Sequence, residues 1–534
     1  MLEELGYPSI LAIVGNFIEY SPPGGLSEPL MSWEQIKEAS THKLVEVVSH
    51  SYDLHKGVQY NPQGNEAAAA SVMVFNPVTQ TYETEGQYRA RVEEDFIAQN
   101  ILFQKKLGIT PRLMVWPYGW FNQISVEVAK KSGMISTFTL EEGFSSIAHI
   151  NTIQRNLVEN TGMEHFISML KDPLGDKPMI RAMQVELDLI YDPDMDQMDR
   201  NLGKLIDRLV AMGVNTVFLQ AFADPEGTGN IESVYFQNSV LPVRADFFSH
   251  AVHQMAIRSM RVYAWMPVLS IEIPDSELNE RLRVRENRDG TILPSTSWYR
   301  RLTPFSKETS TRVGQLYEDL ASHSHLHGIL FQDDAYLTDY EDFHPEAIRR
   351  YTERFGRDVI ITDPNKDPDF AREWTRYKTE GLIDFTDVLK QRVRKYRPVA
   401  EFARNLYAIV IENPAAESWF AQDYELFLKN YDQVVVMAYP EVEEIKKPSK
   451  WLKYLVGRAK VIPQGLEKTV FKIQTYNWRK EEWMNDRILL REMRDILSSG
   501  GRHLAYYPDS YREDKPAMNE IKLEMSTKTY PFIP

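Results

Sequence analysis

The stretch Gly328-Ile329-Leu330-Phe331-Gln332-Asp333-Asp334 decides how this chain is read. A short apolar run suited to a buried strand passes straight into two adjacent carboxylates. Side chains alternate across a strand, so one carboxylate can point into a barrel mouth while the other braces a loop. Seven further β-rich runs share this form, at 184–190, 216–220, 262–268, 406–411, 433–438, 470–475 and 503–507. The intervals between them are long enough for helices; Leu202, Leu205, Ile206 and Leu209, for example, recur at helical spacing. Eight strands separated by helices predict an α/β fold of the (β/α)8 TIM-barrel type, with an open doubly wound sheet as the alternative.

The strand ends carry acids and rings together: Tyr191-Asp192, Trp265-Met266-Pro267, Asp333-Asp334, Tyr439 to Glu443, Tyr476-Asn477-Trp478 and Tyr507-Pro508-Asp509. Barrel enzymes build their sites at this end, so the pattern predicts a sugar-binding cleft. Glu443 is expected to face Asp333 across the mouth. Two carboxylates flanking a glycosidic bond supply what its acid-catalysed cleavage requires, a proton donor and a partner for the anomeric carbon. Tyr191, Trp265, Tyr439 and Trp478 are candidates for stacking on sugar faces, and core packing is the alternative for each.

With 534 residues the chain has room for two to four domains. Its 43% hydrophobic and 26% charged content is that of a globular protein and excludes a disordered chain, a collagen or a coiled-coil rod. The formal charge of −15 argues against a general nucleic-acid partner and favours a cationic one. There are no cysteines, which excludes disulfides, thiolate metal sites and a cysteine nucleophile. No apolar run reaches 18 residues, so no transmembrane segment is expected.

Up to about residue 170 the pattern differs. Apolar runs at 10–14, 44–48 and 112–116 read as parallel strands, with helix at 88–107 and an irregular insertion at 60–84. Two histidines stand at a strand end in Ser49-His50-Ser51-Tyr52-Asp53-Leu54-His55. Across a strand end and turn, both imidazoles can converge on a divalent cation such as Zn, Co, Ni or Fe. The run from Arg112 to Trp116 enters Pro117-Tyr118-Gly119, a turn suited to a groove wall. The segment 171–180 reads as a linker, 181–515 as the barrel and 516–534 as a tail. The opening Leu2-Glu3-Glu4-Leu5-Gly6 reads as a helix end, with part of the first domain expected before Met1.

The motifs SHSYDLH at 49–55, RLMVWPYG at 112–119, GILFQDDA at 328–335 and MAYPEVE at 437–443, in that order, resemble the two-domain poly-β-1,6-N-acetyl-D-glucosamine N-deacetylases of biofilm exopolysaccharide export, the PgaB family. The resemblance implies an N-terminal polysaccharide deacetylase-like (NodB-type) domain, incomplete here, and a C-terminal glycoside hydrolase-like barrel acting on partly deacetylated polymer. It implies that His50 and His55 are metal ligands and that Arg112, Pro117, Tyr118 and Gly119 form the groove wall. Asp333, Asp334 and Glu443 are implied as the acidic cleft residues, with Asp333 and Glu443 the principal pair. Tyr191, Asp192, Trp265, Tyr439 and Trp478 are read as substrate-binding. The family's TFDDG motif, which supplies a third metal ligand and the catalytic base, is not in this sequence, so weak deacetylation or none is expected. A periplasmic, outer-membrane-associated location and an export porin as partner are further implications. A barrel that only grips and guides the polymer is the alternative function.

Overall fold

The computed structural model describes residues 4–21, 29–147, 150–158, 162–172, 178–359 and 367–528. The chain divides into two compact units, Met1–Pro178 with Arg394–Pro398, and Met179–Val393 with Val399–Pro534.

In the first unit, β1 (Ser9–Ile13), β2 (Val45–Ser49), β3 (Leu113–Val115) and β4 (Ser136–Phe138) form a parallel sheet in sequence order. One long helix, α1 (Glu85–Leu107), covers it. Thr84 caps α1 reciprocally with Gln87, and Gly108 ends it at φ 73°. Phe103 and Leu107 of α1 pack with Ile13, Ile36 and Val47, which seats the helix on the sheet. The predicted insertion at 60–84 contains short hairpin strands, Gly57–Gln59 with Glu66–Ala68 and Phe75–Asn76 with Thr81–Tyr82.

The second unit is a closed barrel of eight parallel strands: β5 (Arg181–Val185), β6 (Thr216–Gln220), β7 (Arg261–Met266), β8 (Gly328–Phe331), β9 (Glu401–Tyr407), β10 (Gln433–Ala438), β11 (Thr469–Gln474) and β12 (His503–Tyr507). β12 pairs back onto β5 with Leu504 opposite Arg181, which closes the ring. The open doubly wound sheet is therefore excluded. Helices on the outside include α2 (Met195–Met212), α3 (Lys307–His323), α4 (Pro448–Lys460), α5 (Asp486–Ser498) and α6 (Met518–Met525). Among the described residues, no helix is long and apolar enough to cross a membrane.

Three expectations shift. The first barrel run was expected at 184–190, but β5 ends at Val185 and residues 187–190 turn. The fifth was expected at 406–411, whereas β9 is Glu401–Tyr407 and Ile409–Glu412 is a helical turn. Arg404 and Asn405 hide this strand in the sequence, because both are polar yet buried inside the barrel wall. The two terminal nitrogens of Arg404 donate to the Tyr431 hydroxyl and the Ala335 carbonyl. The expected tail at 516–534 contains α6, whose Ile521 and Met525 are fully buried at i, i+4 spacing. Residues 529–534 lie outside the described residues, as do 173–177 of the expected linker and 1–3 of the opening helix.

Candidate active site

The C-terminal end of the barrel collects a polar cluster on Asp333, the second residue after β8. Its Oδ2 accepts hydrogen bonds from the Tyr299 hydroxyl (3.3 Å) and the Tyr407 hydroxyl (3.4 Å). Tyr299, Tyr407, Tyr439 and Tyr507 are all pushed well above the ordinary tyrosine range, by burial first and by carboxylate charge including that of Asp333. They therefore remain hydroxyl donors across the working pH range.

Below them lies Lys472, a fully enclosed ammonium on β11. It donates to Gln184 Oε1 of β5 and Asn405 Oδ1 of β9, both at 2.9 Å, so three strands meet at one amine inside the barrel. Burial pushes Lys472 down to about 7, against the pull of the Asp333 charge.

One side of the mouth is aromatic. Tyr507 packs 5.4 Å from Trp265 and stacks 6.1 Å from Trp478, and Trp478 lies 5.8 Å from Tyr439. Trp478 is 41% exposed and presents ring surface to solvent, whereas Trp265 and Tyr439 are each 8% exposed. Trp265, Tyr439 and Trp478, three of the four rings expected from the sequence, thus lie together around Tyr507, with Trp478 as the accessible face.

Tyr507 also connects the aromatic wall to a second carboxyl. Its hydroxyl donates to Glu186 Oε1 at 2.6 Å. Burial raises the Glu186 pKa, and the nearby charges of Asp188 and Asp224 add to the rise. Asp188 gathers the Gln220 amide (2.7 Å), the Asp224 backbone N–H (2.9 Å) and the Tyr235 hydroxyl (2.5 Å), with Arg244 at 3.8 Å. Tyr191 joins this side: the Arg244 guanidinium lies 4.2 Å over its ring.

Glu186, Asp188 and Lys472 escaped the sequence reading, although a signal exists. Gln184, Glu186 and Asp188 alternate with Val185, Leu187 and Leu189, and Lys472 and Gln474 interrupt an apolar strand at every second position. A polar set with period two inside a barrel strand marks the interior face.

Not every expected residue belongs here. Asp334 is completely buried and faces away from the mouth, accepting the backbone N–H groups of Val268 (3.0 Å), Leu269 (2.6 Å) and Ser270 (2.7 Å). It therefore ties the loop after β7 to β8, in the bracing role that alternation allowed, and is corrected from a catalytic acid to a structural one. Asp192 accepts the Asp194 N–H within the turn that starts α2. Glu443 is half-buried beside Glu412, whose charge adds to the burial that raises its pKa. Its backbone N–H donates to the Tyr439 carbonyl at 3.1 Å.

In the first unit, His50 and His55 come together with ring centroids 5.0 Å apart. The Val115 carbonyl accepts from His50 Nδ1 at 2.6 Å, which leaves Nε2 as the nitrogen with a free lone pair. Burial pushes His50 down to about 4 and lowers His55, so both imidazoles are neutral, as ligation requires. Asp95 fixes the loop between them by accepting the N–H groups of Tyr52 (2.9 Å) and Asp53 (2.6 Å). Among the described residues no third histidine or carboxylate completes a metal-binding group. The pair suits a divalent metal in donor chemistry but supplies only two of the three protein ligands common in zinc enzymes.

Tyr118 lies 4.4 Å from the His55 ring and is 47% exposed. The Pro117–Gly119 turn is a 3₁₀ turn. Gly119 is required there, since its φ is 73° and a Cβ would meet the Leu140 backbone nitrogen at 2.8 Å. Arg112 is corrected: it precedes β3, at the end of the strand opposite the histidines, and pairs with Glu46 (2.7 Å) while 62% of its side chain stays exposed.

The sequence model of the family described as "Hypothetical glycosyl hydrolase family 13" matches residues 184–507. Two curated relatives, from Escherichia coli strain K12 and from Escherichia coli O157:H7, are each 34% identical over 99% of this chain and 81% of their own length. Both are named poly-β-1,6-N-acetyl-D-glucosamine N-deacetylase. The solved glycoside hydrolase domain of PgaB (BpsB) from Bordetella bronchiseptica is 38% identical, with a TM-score of 0.62, over 65% of this chain and 99% of that domain.

Proposed function

The chain belongs to the poly-β-1,6-N-acetyl-D-glucosamine N-deacetylase (PgaB) family, with a glycoside hydrolase-like barrel, and from that premise we propose that the barrel binds and cleaves partly deacetylated β-1,6-linked glucosamine polymer. The observation that carries this reading is the Asp333 cluster: a carboxylate held by two tyrosine hydroxyls beside an aromatic wall, whose Tyr507 hydroxyl donates to Glu186, a carboxyl with its pKa raised by burial. A deacetylated polymer bears ammonium groups, and a mouth holding Asp333, Asp188 and Asp224 attracts them.

In the mechanism, Trp478 and its neighbours stack on a sugar face and orient the scissile bond. Asp333 stabilises the positive charge that develops at the anomeric carbon, and its tyrosine donors fix its direction. A carboxyl whose pKa burial raises gives its proton to the leaving oxygen as the glycosidic C–O bond breaks, and water then forms the new bond to the anomeric carbon and returns a proton to that carboxylate. Glu186 and Glu443 both have raised pKa values. Glu186 is favoured because Tyr507 links it to the wall beside Asp333. A carboxyl whose pKa is raised keeps its proton to higher pH, so the rate should fall as pH rises through that value. Glu186→Gln should lower kcat by about 10²- to 10⁴-fold and remove that alkaline fall. If Glu443→Gln does so instead, while Glu186→Gln retains the profile, the donor is Glu443. Incubating the chain with partly deacetylated polymer and sizing the products tests the whole reading; undiminished polymer length with measurable affinity would make the barrel a guide for export, with a porin as its partner.

For the first unit we propose that His50 and His55 hold a divalent metal through their free nitrogens. Bound there, such a metal would supply Lewis-acid chemistry to an acetamide. With two protein ligands the site should be weak, and His50→Ala should reduce Co²⁺ affinity by on the order of tenfold or more, read from the metal's visible absorption during titration. An unchanged titration would remove His50 from the site. By family membership we propose a periplasmic, outer-membrane-associated location.

A further inference from the structure

Outside the mouth, a cavity of about 570 Å³ opens between α4 and α5, lined by Glu441, Pro448, Lys453, Ile488, Glu492 and Asp495, among others. Glu492 is 2% exposed, yet among the described residues neither of its carboxyl oxygens has a hydrogen-bond partner, and Asp495 Oδ2 is likewise unpartnered. Leaving such groups unpaired is costly, and native proteins do so mainly where a ligand or ion supplies the missing partner.

The acids of the cavity are Glu441, Glu492 and Asp495, set against four lining bases. The charges felt by Glu492 are those of Glu441, Arg491 and Asp495, two acids against one base. Lys453 is committed to Asp495 Oδ1 at 3.0 Å. Lys447 and Lys450 line the cavity as well. Glu441 ties the cavity to the barrel mouth: its backbone N–H donates to Gln474 Oε1 (3.1 Å), and Asn477, next to Trp478, donates to its carboxylate (3.2 Å).

We propose that this cavity is an accessory subsite in which a glucosamine unit of the polymer places its ammonium group against Glu492. The proposal rests on the polymer being the substrate class of the barrel, and it adds a second grip beyond Trp478, reached along the loop that carries Glu441. The acids provide the missing partner for the ammonium, and the lysines at the rim donate to sugar hydroxyls. Burial, then Glu441, holds the empty Glu492 up at about 8, so at pH 7 it carries a proton that an arriving ammonium displaces.

The test is calorimetric titration of the Asp333→Asn chain with a β-1,6-linked glucosamine tetramer at pH 7, in buffers of different ionisation enthalpy. Binding should release up to one proton per tetramer, and the fully N-acetylated tetramer should release none. Adding Glu492→Gln should weaken tetramer binding at least tenfold and abolish the proton release. Ile488→Trp, which fills the cavity and keeps the carboxyl, should weaken binding equally, which separates a lost site from a disturbed fold. Wild-type affinity and proton count in both variants would overturn the subsite. Because the readout is binding, a chain that cleaves nothing can still possess the subsite, and one that cleaves well can lack it.

Discussion

Asp333→Asn will lower cleavage of deacetylated β-1,6-glucosamine polymer by on the order of 10³-fold while the protein stays folded and still binds the polymer. The substitution keeps the size of the side chain and the oxygen that Tyr299 and Tyr407 address, but removes its charge. A charge placed where positive charge develops in the transition state is worth about 3–4 kcal/mol in an enclosed site, so its loss falls on kcat rather than on KM. The measurement is product sizing over time together with a thermal unfolding scan. Residual cleavage within a few-fold of the parent would show that Asp333 is not at the reacting centre. Equal loss of folding would assign it to structure instead.

Its neighbour should behave in the opposite way. Asp334→Ala will lower the stability of the barrel by about 3 kcal/mol or more, because three buried N–H donors, those of Val268, Leu269 and Ser270, lose their acceptor together at about 1–3 kcal/mol each. Cleavage should fall only as far as the loop after β7 loses its place, and Asp334→Asn, which retains one acceptor oxygen, should lie between parent and alanine variant. The unfolding midpoint of the barrel reports this directly. An Asp334→Ala protein as stable as the parent would show that the buried carboxylate does not support the loop. Two adjacent aspartates thus separate into one that acts on rate and one that acts on stability, since successive strand residues face opposite ways.

The barrel was legible because its strands are short apolar runs bounded by polar turns, and six of the eight positions follow from that pattern alone. It failed at β5 and β9 for one reason. Polar residues are buried at these strands: Gln184 and Asn405 turn into the ring and accept from Lys472, Arg404 faces the other way toward the Tyr431 hydroxyl and the Ala335 carbonyl, and Glu186 just after β5 accepts from Tyr507. A reading that equates burial with hydrophobicity displaces the strand toward the nearest apolar stretch, as happened at 187–190 and 408–411.

The amino-acid sequence by itself determined the eight-strand rhythm, the clustering of acids and rings at the strand ends, and a histidine pair at a strand end. These rest on local periodicity and on residue type, which need no knowledge of long-range neighbours. Only the tertiary structure decided which carboxyls share the mouth, because that depends on pairings across the closed ring. Gln184, Asn405 and Lys472 meet although hundreds of residues separate the first from the last, and Glu186 is joined to Tyr507 only where the last strand closes on the first.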